Sequence, residues 1–301
     1  MGYLRDGTWV DDEHWSADAD GRFQRDAARF RRRPEAPFVP DPGRNHLVLA
    51  HACPWCHRTA IARALKGLED VVSVSFVDPL MREGGWRFTA DRPDPLFGAS
   101  YAHELYTRAA PGYSGRVTVP ILWDRATNTI VCNESEDIVR LFDAVGSGPS
   151  LRPEPLAAEL DAINGRMYDA VNNGVYACGF ARTQRAYEAA FAALFQALDA
   201  LSERLRDRAF LVGDQLTEAD LRLYVTLVRF DAVYFGHFKC NRNRIEEDPV
   251  LQRYLERLYA IPAFGRTTDF AEIKQHYYGS HRNLNPSGIV PVGPRLRLQH
   301  P

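Results

Sequence analysis

The spacing of apolar positions divides the chain into a mixed first half and a helical second half. Residues 47–50 are uniformly apolar, as is typical of a short buried strand, and apolar positions then recur at helical spacing as far as Leu68. Two later β-rich runs are separated by a short polar stretch, which is the pattern of a hairpin. The first half therefore predicts strands at 47–50, 71–77, 117–123 and 129–132, and helices at about 54–67 and 134–142.

The second half shows helical spacing almost throughout. A stretch rich in Gly, Pro and Ser at 146–155 separates it from the first half and is predicted to be a linker. Thr217 and Asp220 stand three residues apart, as in a capping box at the start of a helix. The predicted helices cover roughly 156–172, 183–206, 217–236 and 249–260.

Three other regions have weaker patterns. Residues 78–115 are rich in turn formers and predict a loop with one short helix, and the pattern of 267–301 assigns no structure. Residues 1–45 predict an irregular arm anchored by aromatic residues, namely Trp9, Trp15, Phe23, Phe30 and Phe38. The predicted organisation is an arm (1–45), an α/β domain (46–145), a linker (146–155), a helical domain (156–266) and a C-terminal extension (267–301).

Two cysteines stand where the first strand turns into the first helix. Cys53 and Cys56 enclose Pro54 and Trp55, and a proline near the first helical position loses nothing by lacking an N–H. The order β-α-β followed by β-β-α, with Cys-x-x-Cys at the first strand–helix turn, is the thioredoxin-like pattern. The fold class is therefore predicted to be α/β plus all-α, a thioredoxin-like domain followed by an all-helical domain.

Cys53 is the candidate nucleophile. A thiol at this point faces unpaired backbone N–H groups and the positive end of the helix dipole, both of which favour thiolate over thiol. Pro120 lies in a strand run, where proline is costly, and we interpret it as the cis-proline of a loop beside the thiol. Glu134 and Ser135 follow a strand and begin a helix, so they either hold a carboxylate or simply cap the helix.

The same cysteines also fit two metal-binding patterns. Cys53 to His57 reads C-x-x-C-H, as in haem attachment, and His51 adds a fourth residue of a type that binds zinc. Haem attachment needs an oxidising export route, however, and structural zinc usually takes two ligand pairs with a longer spacer. Redox or nucleophilic use of Cys53 is the favoured interpretation, and no metal is expected. The remaining cysteines lie in apolar or mixed runs and are predicted to be small buried residues: Cys132, Cys178 and Cys240.

Composition narrows the partners and the compartment. The 301 residues carry a formal net charge of −2, which gives no electrostatic footprint for nucleic acid or for an anionic membrane. No apolar stretch is long enough to span a bilayer, and the first residues lack the apolar core of a secretory signal. Five cysteines, an odd number spread thinly, indicate a reducing compartment. We therefore expect a cytoplasmic protein.

Segments from both halves and from the tail resemble one family, the glutathionyl-hydroquinone reductases, which are the Xi class of glutathione transferases. Agreement over so much of the chain is far more specific than a lone Cys-x-x-Cys. The segments are CPWCHRTAIARALKGLED (53–70), GGWRF (84–88), GRVTVPILWD (115–124), TIVCNESEDIVRLFD (129–143), NNGVYACGFA (172–181), LTEADLRLYVTLVRFDAVYFGHFKCN (216–241) and IKQHYYGSHRNLNPSGIVPVGP (273–294).

The resemblance implies a reaction and a set of site residues. Cys53 would attack the sulfur of a glutathionyl-hydroquinone, release the hydroquinone and become a mixed disulfide with glutathione. Tyr176 and Tyr277 would face the aromatic ring. The family also implies a helical glutathione-transferase domain, a homodimer and glutathione as cosubstrate, with no bound cofactor. The residues implied to hold glutathione are Trp86, Arg116, Val119 through its backbone, Glu134 and Ser135.

One residue departs from the family pattern. The family usually has alanine where this chain has Cys56, so Cys56 becomes a possible resolving thiol, as in a glutaredoxin. A glutaredoxin-like or dehydroascorbate-type reductase is therefore an alternative function, and a non-catalytic binding module with this fold is another. Lysine occurs only at positions 66, 239 and 274, a bias that GC-rich coding produces, and some GC-rich bacteria use mycothiol or another thiol instead of glutathione.

Overall fold

The computed structural model describes residues 2–11, 16–31 and 38–298, and these form two compact units. The first unit contains residues 2–11, 26–31, 38–148 and 271–288, and the second contains 16–25, 149–270 and 289–298. Each unit therefore combines segments that are far apart in sequence. Across the described residues, every helix is too short or too polar to cross a membrane.

Strands are confined to the first unit in the described part of the chain. The strands are β1 (Gly2–Arg5), β2 (Thr8–Asp11), β3 (Asn45–Leu49), β4 (Val72–Phe76), β5 (Gly115–Arg116), β6 (Ile121–Asp124) and β7 (Thr129–Cys132). The helices are α1 (Pro54–Leu65), α2 (Ala102–Ala109), α3 (Ser135–Val145), α4 (Ala157–Met167), α5 (Gly174–Gly179), α6 (Gln184–Leu205), α7 (Glu218–Arg229), α8 (Phe235–His237), α9 (Pro249–Tyr259), α10 (Pro262–Gly265) and α11 (Phe270–Ser280).

A mixed sheet with the strand order β4-β3-β6-β7 forms the core of the first unit. Strand β3 is buried along its whole length, pairs in parallel with β4 and pairs antiparallel with β6. Leu47 lies opposite Val74 on one side and Leu122 on the other. Because β3 is the buried strand that leads into α1, the sheet fixes the place where that helix begins. A parallel β-α-β unit followed by antiparallel strands confirms the predicted thioredoxin-like order.

The prediction of an irregular arm is wrong for its first residues. Strands β1 and β2 form a hairpin, and β5 extends it on the other side of β1. Asp6 and Gly7 make the turn with positive φ angles of 48° and 78°, and Asp-Gly is a strong signal for such a two-residue turn. Of the predicted anchors, Phe30 is buried and Trp9 stacks on His103. Trp15 lies outside the described residues.

The predicted strand at 117–123 is also partly wrong. The backbone pairs only at β5 and again from Ile121 in β6, directly after Pro120. Proline has no N–H to give to a sheet, which explains why pairing resumes just beyond it. The peptide bond between Val119 and Pro120 is cis.

Two long predicted helices have the expected extent but contain a wider turn, and α10 and α11 were not predicted. Helices α4 and α7 each pass into a wider π-helical turn, at Tyr168–Asn172 and Phe230–Tyr234. Helix α11 lies in the C-terminal region to which the pattern assigned no structure. Its residues from 271 onward belong to the first unit. The described C-terminal residues are thus divided between the two units.

A buried aspartate organises the start of α7 in the second unit. The Asp220 carboxylate accepts hydrogen bonds from the Thr217 N–H (2.8 Å) and hydroxyl (2.9 Å), which confirms the predicted capping box. It also accepts from the Leu211 N–H at 2.9 Å and from the Tyr254 hydroxyl at 2.8 Å. Burial raises the pKa of Asp220, and these hydrogen bonds oppose the rise. One side chain therefore joins α7, α9 and the preceding loop.

Replacing Asp220 should destabilise the second unit. Asp220→Ala would leave several buried donors without an acceptor, and we expect the free energy of unfolding to fall by about 3–5 kcal/mol. Denaturant unfolding followed by circular dichroism measures this, with Asp214→Ala as a control because Asp214 is exposed. Equal stability of the two variants would contradict a structural role for the buried carboxylate.

Candidate active site

Cys53 lies at the junction of β3 and α1. Its N–H donates to the Ala50 carbonyl at 3.1 Å, closing a tight turn, and its carbonyl accepts the first helical hydrogen bond, from the His57 N–H at 2.9 Å. Its φ and ψ of −75° and 120° are those of a residue that precedes a helix, and Pro54 follows as the first helical residue. The partly exposed Cys53 thiol therefore stands at the positive end of α1, where a thiolate is favoured.

The loop that contains the cis-proline passes beside this thiol. The Cys53 Sγ atom lies 3.6 Å from the carbonyl oxygen of Val119, and Val119 is buried. The structure thus brings together the predicted nucleophile, Val119 and Pro120.

Cys56 has a different environment from Cys53. It lies within α1, its side chain is buried with 1% relative exposure, and its carbonyl accepts a hydrogen bond from the Thr59 hydroxyl at 2.7 Å. Solvent therefore reaches one thiol of the Cys-x-x-Cys turn far more readily than the other. The structure therefore leaves Cys53 the more accessible of the two to a small molecule.

The start of α3 is connected to α1 by a buried arginine. The Arg58 guanidinium donates to the Ser135 hydroxyl at 2.9 and 2.6 Å and lies 3.4 Å from a Glu134 carboxylate oxygen. Glu134 in turn caps α3 by accepting from the Glu136 N–H at 3.2 Å. The capping alternative for Glu134 is therefore present in the structure. Arg58 is 2% exposed, so it acts as an internal support for both residues.

Trp86 contacts helix α11, and Tyr277 is part of that helix. The Trp86 indole stacks on the His276 ring with centroids 4.9 Å apart and planes 17° apart. His276 Nδ1 lies 2.7 Å from the Pro79 carbonyl, which fixes the histidine from the other side. Tyr277, the next residue of α11, is buried and makes edge contacts with His276 and His281. Two predicted site residues are thus positioned by α11.

Arg116 lies in β5 beside the amino-terminal hairpin. Its guanidinium approaches the Asp26 carboxylate at 3.8 Å and lies over the Tyr3 ring, 5.7 Å from the centroid. Both contacts come from the arm. The arm therefore helps to orient Arg116, which is predicted to hold glutathione.

Tyr176 belongs to the second unit, on α5. Its ring packs among aromatic neighbours, and the Arg25 guanidinium lies over it at 4.9 Å. Arg25 also donates to the Asn173 side-chain oxygen at 2.7 Å. A cation over the face of a phenol is a favourable contact, and here it holds Tyr176 in a defined orientation.

The other cysteines are buried as predicted. Burial raises the pKa of Cys132 to about 12, and burial also raises the pKa of Cys240 well above its ordinary value. Cys178 is likewise buried. The raised pKa values make Cys132 and Cys240 poor nucleophiles at neutral pH.

Two family models match the chain, one in each half. The model described as glutathione S-transferase, N-terminal domain, matches residues 52–145. The model described as glutathione S-transferase, C-terminal domain, matches residues 184–257. The thioredoxin-like domain followed by a helical glutathione-transferase domain is thereby confirmed.

Individual relatives are similar over nearly the whole chain. A glutathionyl-hydroquinone reductase of Sphingobium chlorophenolicum is 50% identical, with 99% of this chain and 98% of the relative covered. The crystal structure of glutathione-S-transferase Xi from Phanerochaete chrysosporium is 47% identical, with a TM-score of 0.88 over 92% of this chain and 99% of that one. The chain belongs to the Xi-class glutathione transferases. A glutathione-bound structure of a transferase homologue from Escherichia coli K-12 is 43% identical, with a TM-score of 0.88 over 99% of this chain and 97% of that one.

Two supports of this Xi-class site could not be found from the sequence. Arg58 contacts Ser135 across 77 positions, and His51 contacts Glu272 across 221. No local pattern connects such pairs. A charged residue on the apolar side of a helix, as with Arg58 on α1, is the one signal that the sequence offered.

Removing Arg58 should weaken the connection between α1 and α3. Arg58→Met would leave the Glu134 carboxylate and Ser135 hydroxyl without their buried partner, and we expect a loss of about 2–4 kcal/mol in the free energy of unfolding. Arg58→Lys keeps the charge but not the two-nitrogen contact with Ser135, so its loss should be smaller. Denaturant unfolding compares the two, and an unchanged midpoint for Arg58→Met would contradict this role.

Proposed function

We propose that this enzyme removes glutathione from glutathionyl-hydroquinones through a mixed disulfide on Cys53. The supporting observation is the partly exposed Cys53 thiol, 3.6 Å from the Val119 carbonyl at the start of α1. The 50% identity over 99% of the chain to a relative named glutathionyl-hydroquinone reductase supports the choice of substrate. A nucleophilic thiol with this access suits attack on a sulfur atom.

The proposed reaction balances with one further thiol. The Cys53 thiolate attacks the glutathione sulfur, an S–S bond forms, and the bond from that sulfur to the ring carbon breaks. The ring carbon takes up a proton, so the released hydroquinone is reduced by two electrons while the two sulfurs are oxidised to a disulfide. A second glutathione thiolate then attacks the mixed disulfide, which frees Cys53 and forms glutathione disulfide.

The start of α3 suits the γ-glutamyl end of glutathione, which carries both an ammonium and a carboxylate group. The Glu134 carboxylate attracts the ammonium group, while the helix start and the Ser135 hydroxyl suit the carboxylate. Trp86, Arg116 and the backbone of Val119 are proposed to hold the rest of the tripeptide. Arg58 keeps the Glu134–Ser135 pair in place from within the protein.

The departing ring needs a proton, and we assign its delivery to tyrosine. Tyr176 and Tyr277 are phenols, which are suitable donors to a carbon that has lost its sulfur. Arg25 over the Tyr176 ring and the histidines around Tyr277 orient the two side chains. Each tyrosine is thus held by residues that do not take part in the proposed bond changes.

Cys56 supports a second, glutaredoxin-like route. Its thiol can attack the mixed disulfide on Cys53, which forms a Cys53–Cys56 disulfide and releases glutathione. An external thiol then reduces that disulfide. What supports this route is the Cys-x-x-Cys spacing, which puts Cys56 on the first turn of α1, three residues after Cys53.

We also propose the finer features implied by the family. The cosubstrate is glutathione, which the relative from Escherichia coli K-12 is described as binding, and mycothiol is the alternative that a binding comparison tests. No cofactor stays bound, the protein works in the cytoplasm, and two copies associate as a homodimer. Light scattering of the purified protein measures that association.

Replacing the nucleophile should abolish turnover. We expect Cys53→Ser to lower the rate on a glutathionyl-hydroquinone by at least about a thousandfold, because a hydroxyl cannot form the mixed disulfide. Mass spectrometry of the parent, quenched directly after Cys53 has reacted with the conjugate and before any later thiol exchange, should place the glutathione adduct on Cys53. The four other cysteines serve as internal controls, and an adduct on any of them, or an active Cys53→Ser variant, would refute the proposal.

Replacing Cys56 should change how the enzyme is recycled. With conjugate present and no added thiol, the parent should pass to an intramolecular disulfide, whereas Cys56→Ala should accumulate the mixed disulfide. Intact-mass measurements over time distinguish the two species. The resolving role fails if the mixed disulfide persists equally long in both proteins.

A further inference from the structure

We propose that Glu272 and His51 form a positioning pair that fixes the turn carrying Cys53. The inference takes Cys53 as the reactive thiol from the proposed function. His51 precedes Cys53 by two residues, and Glu272 lies on α11, more than two hundred positions later in the chain. Neither residue is assigned a part in the bond changes, and both act through the position of the turn.

One face of α11 contacts two separate segments of the first unit, the Cys53 turn and the loop between β4 and α2. Glu272, His276 and Ser280 are spaced by four residues, so they lie along one side of the helix. Glu272 contacts the Cys53 turn, His276 contacts Pro79 and Trp86, and the Ser280 hydroxyl accepts from the Met81 N–H at 3.0 Å. Gly279 lies so close to Leu80 that a Cβ there would press on its side chain. Helix α11 is therefore seated closely on these loops.

Glu272 is buried and has two hydrogen-bond partners. One oxygen of its carboxylate lies 3.1 Å from His51 Nδ1, and the other accepts a hydrogen bond from the Arg92 guanidinium. Burial alone would raise the pKa of Glu272, but the hydrogen bonds from His51 and Arg92 lower it to about 2. A carboxylate only accepts hydrogen bonds, so Nδ1 of His51 must carry the proton in this contact.

The His51 ring is fixed in two directions. Its face stacks on Phe76 at the end of β4, with centroids 3.7 Å apart, and its Nδ1 points to Glu272. His51 is a central residue of the turn that the Cys53 N–H closes on the Ala50 carbonyl at 3.1 Å. Since the turn is only four residues long, a fixed His51 limits the backbone angles available to Cys53. The pair therefore holds the thiol at the start of α1.

A double-mutant cycle on the full-length protein tests the pair. The readout is the second-order rate constant for iodoacetamide labelling of Cys53, with the labelled residue confirmed by mass spectrometry. Glu272→Gln offers one acceptor oxygen where the carboxylate offers two, so it cannot serve both His51 and Arg92. We expect Glu272→Gln and His51→Ala each to slow labelling about five- to tenfold, and the double variant to be no slower than either.

Two further variants separate positioning from general support. His51→Asn keeps an N–H near the place of Nδ1 and should recover most of the rate lost in His51→Ala. Ser280→Ala removes another contact of the same helix face and should leave labelling within about twofold of the parent. The proposal is overturned if the two single effects on the labelling rate multiply in the double variant. It is also overturned if His51→Asn recovers none of the rate, or if Ser280→Ala slows labelling as much as Glu272→Gln does.

The assay separates this inference from the proposed function. Labelling needs no hydroquinone conjugate, so the double-mutant cycle can be interpreted even if the proposed substrate is wrong. Thermal unfolding is measured for every variant, and if Glu272→Gln does not fold, the comparison of His51→Asn with His51→Ala decides, because both keep Glu272. If the two substitutions prove coupled in the labelling cycle but the conjugate leaves no adduct on Cys53, the positioning pair is supported and the proposed substrate is refuted.

Discussion

The start of α1 is the constraint on which the site depends. A helix leaves its first N–H groups without partners in the helix, and their partial positive charge falls where the chain enters. Here the entering residue is Cys53, and Pro54 follows it where a missing N–H is harmless. The buried strand β3 fixes the point of entry, and the Val119 carbonyl bounds the thiol from the neighbouring loop. The position of this thiol is thus a consequence of how a buried strand becomes a helix.

A second helix start works together with the first. Arg58 on α1 reaches Ser135 and Glu134 at the beginning of α3, so the two helices are joined by a buried cation. Such a charge is stable inside a protein only when its partners are correctly placed, which limits how far the helices can shift. The Glu134 carboxylate also sets a negative group beside the positive end of α3. A ligand end with both charges suits that arrangement better than a simple anion does.

Elements that depend on neighbouring residues could be predicted from the sequence, whereas elements that depend on contacts between distant residues could not. The strand before Cys53, the helix after it and the capping box at Thr217 follow from spacing within a few residues, and the structure contains them. The amino-terminal hairpin had a local Asp-Gly signal that the mixed charges of the arm obscured. Helix α11 was missed because two of its polar residues are buried together with apolar ones. Glu272 and His276 face loops of the first unit, so the usual link between polarity and exposure fails there.

The contacts of α11 show what the C-terminal region contributes to the first unit. Residues 271–288 come after the helical unit in the chain, yet they pack with the first unit. The contacts that fix Trp86 and the Cys53 turn therefore become available only once the chain has extended beyond the helices of the second unit. A thioredoxin-like unit without them would still have the strands that pair in its sheet, β3, β4, β6 and β7. It would lack the buried carboxylate that fixes His51, and the orientation of its thiol would depend on the turn alone.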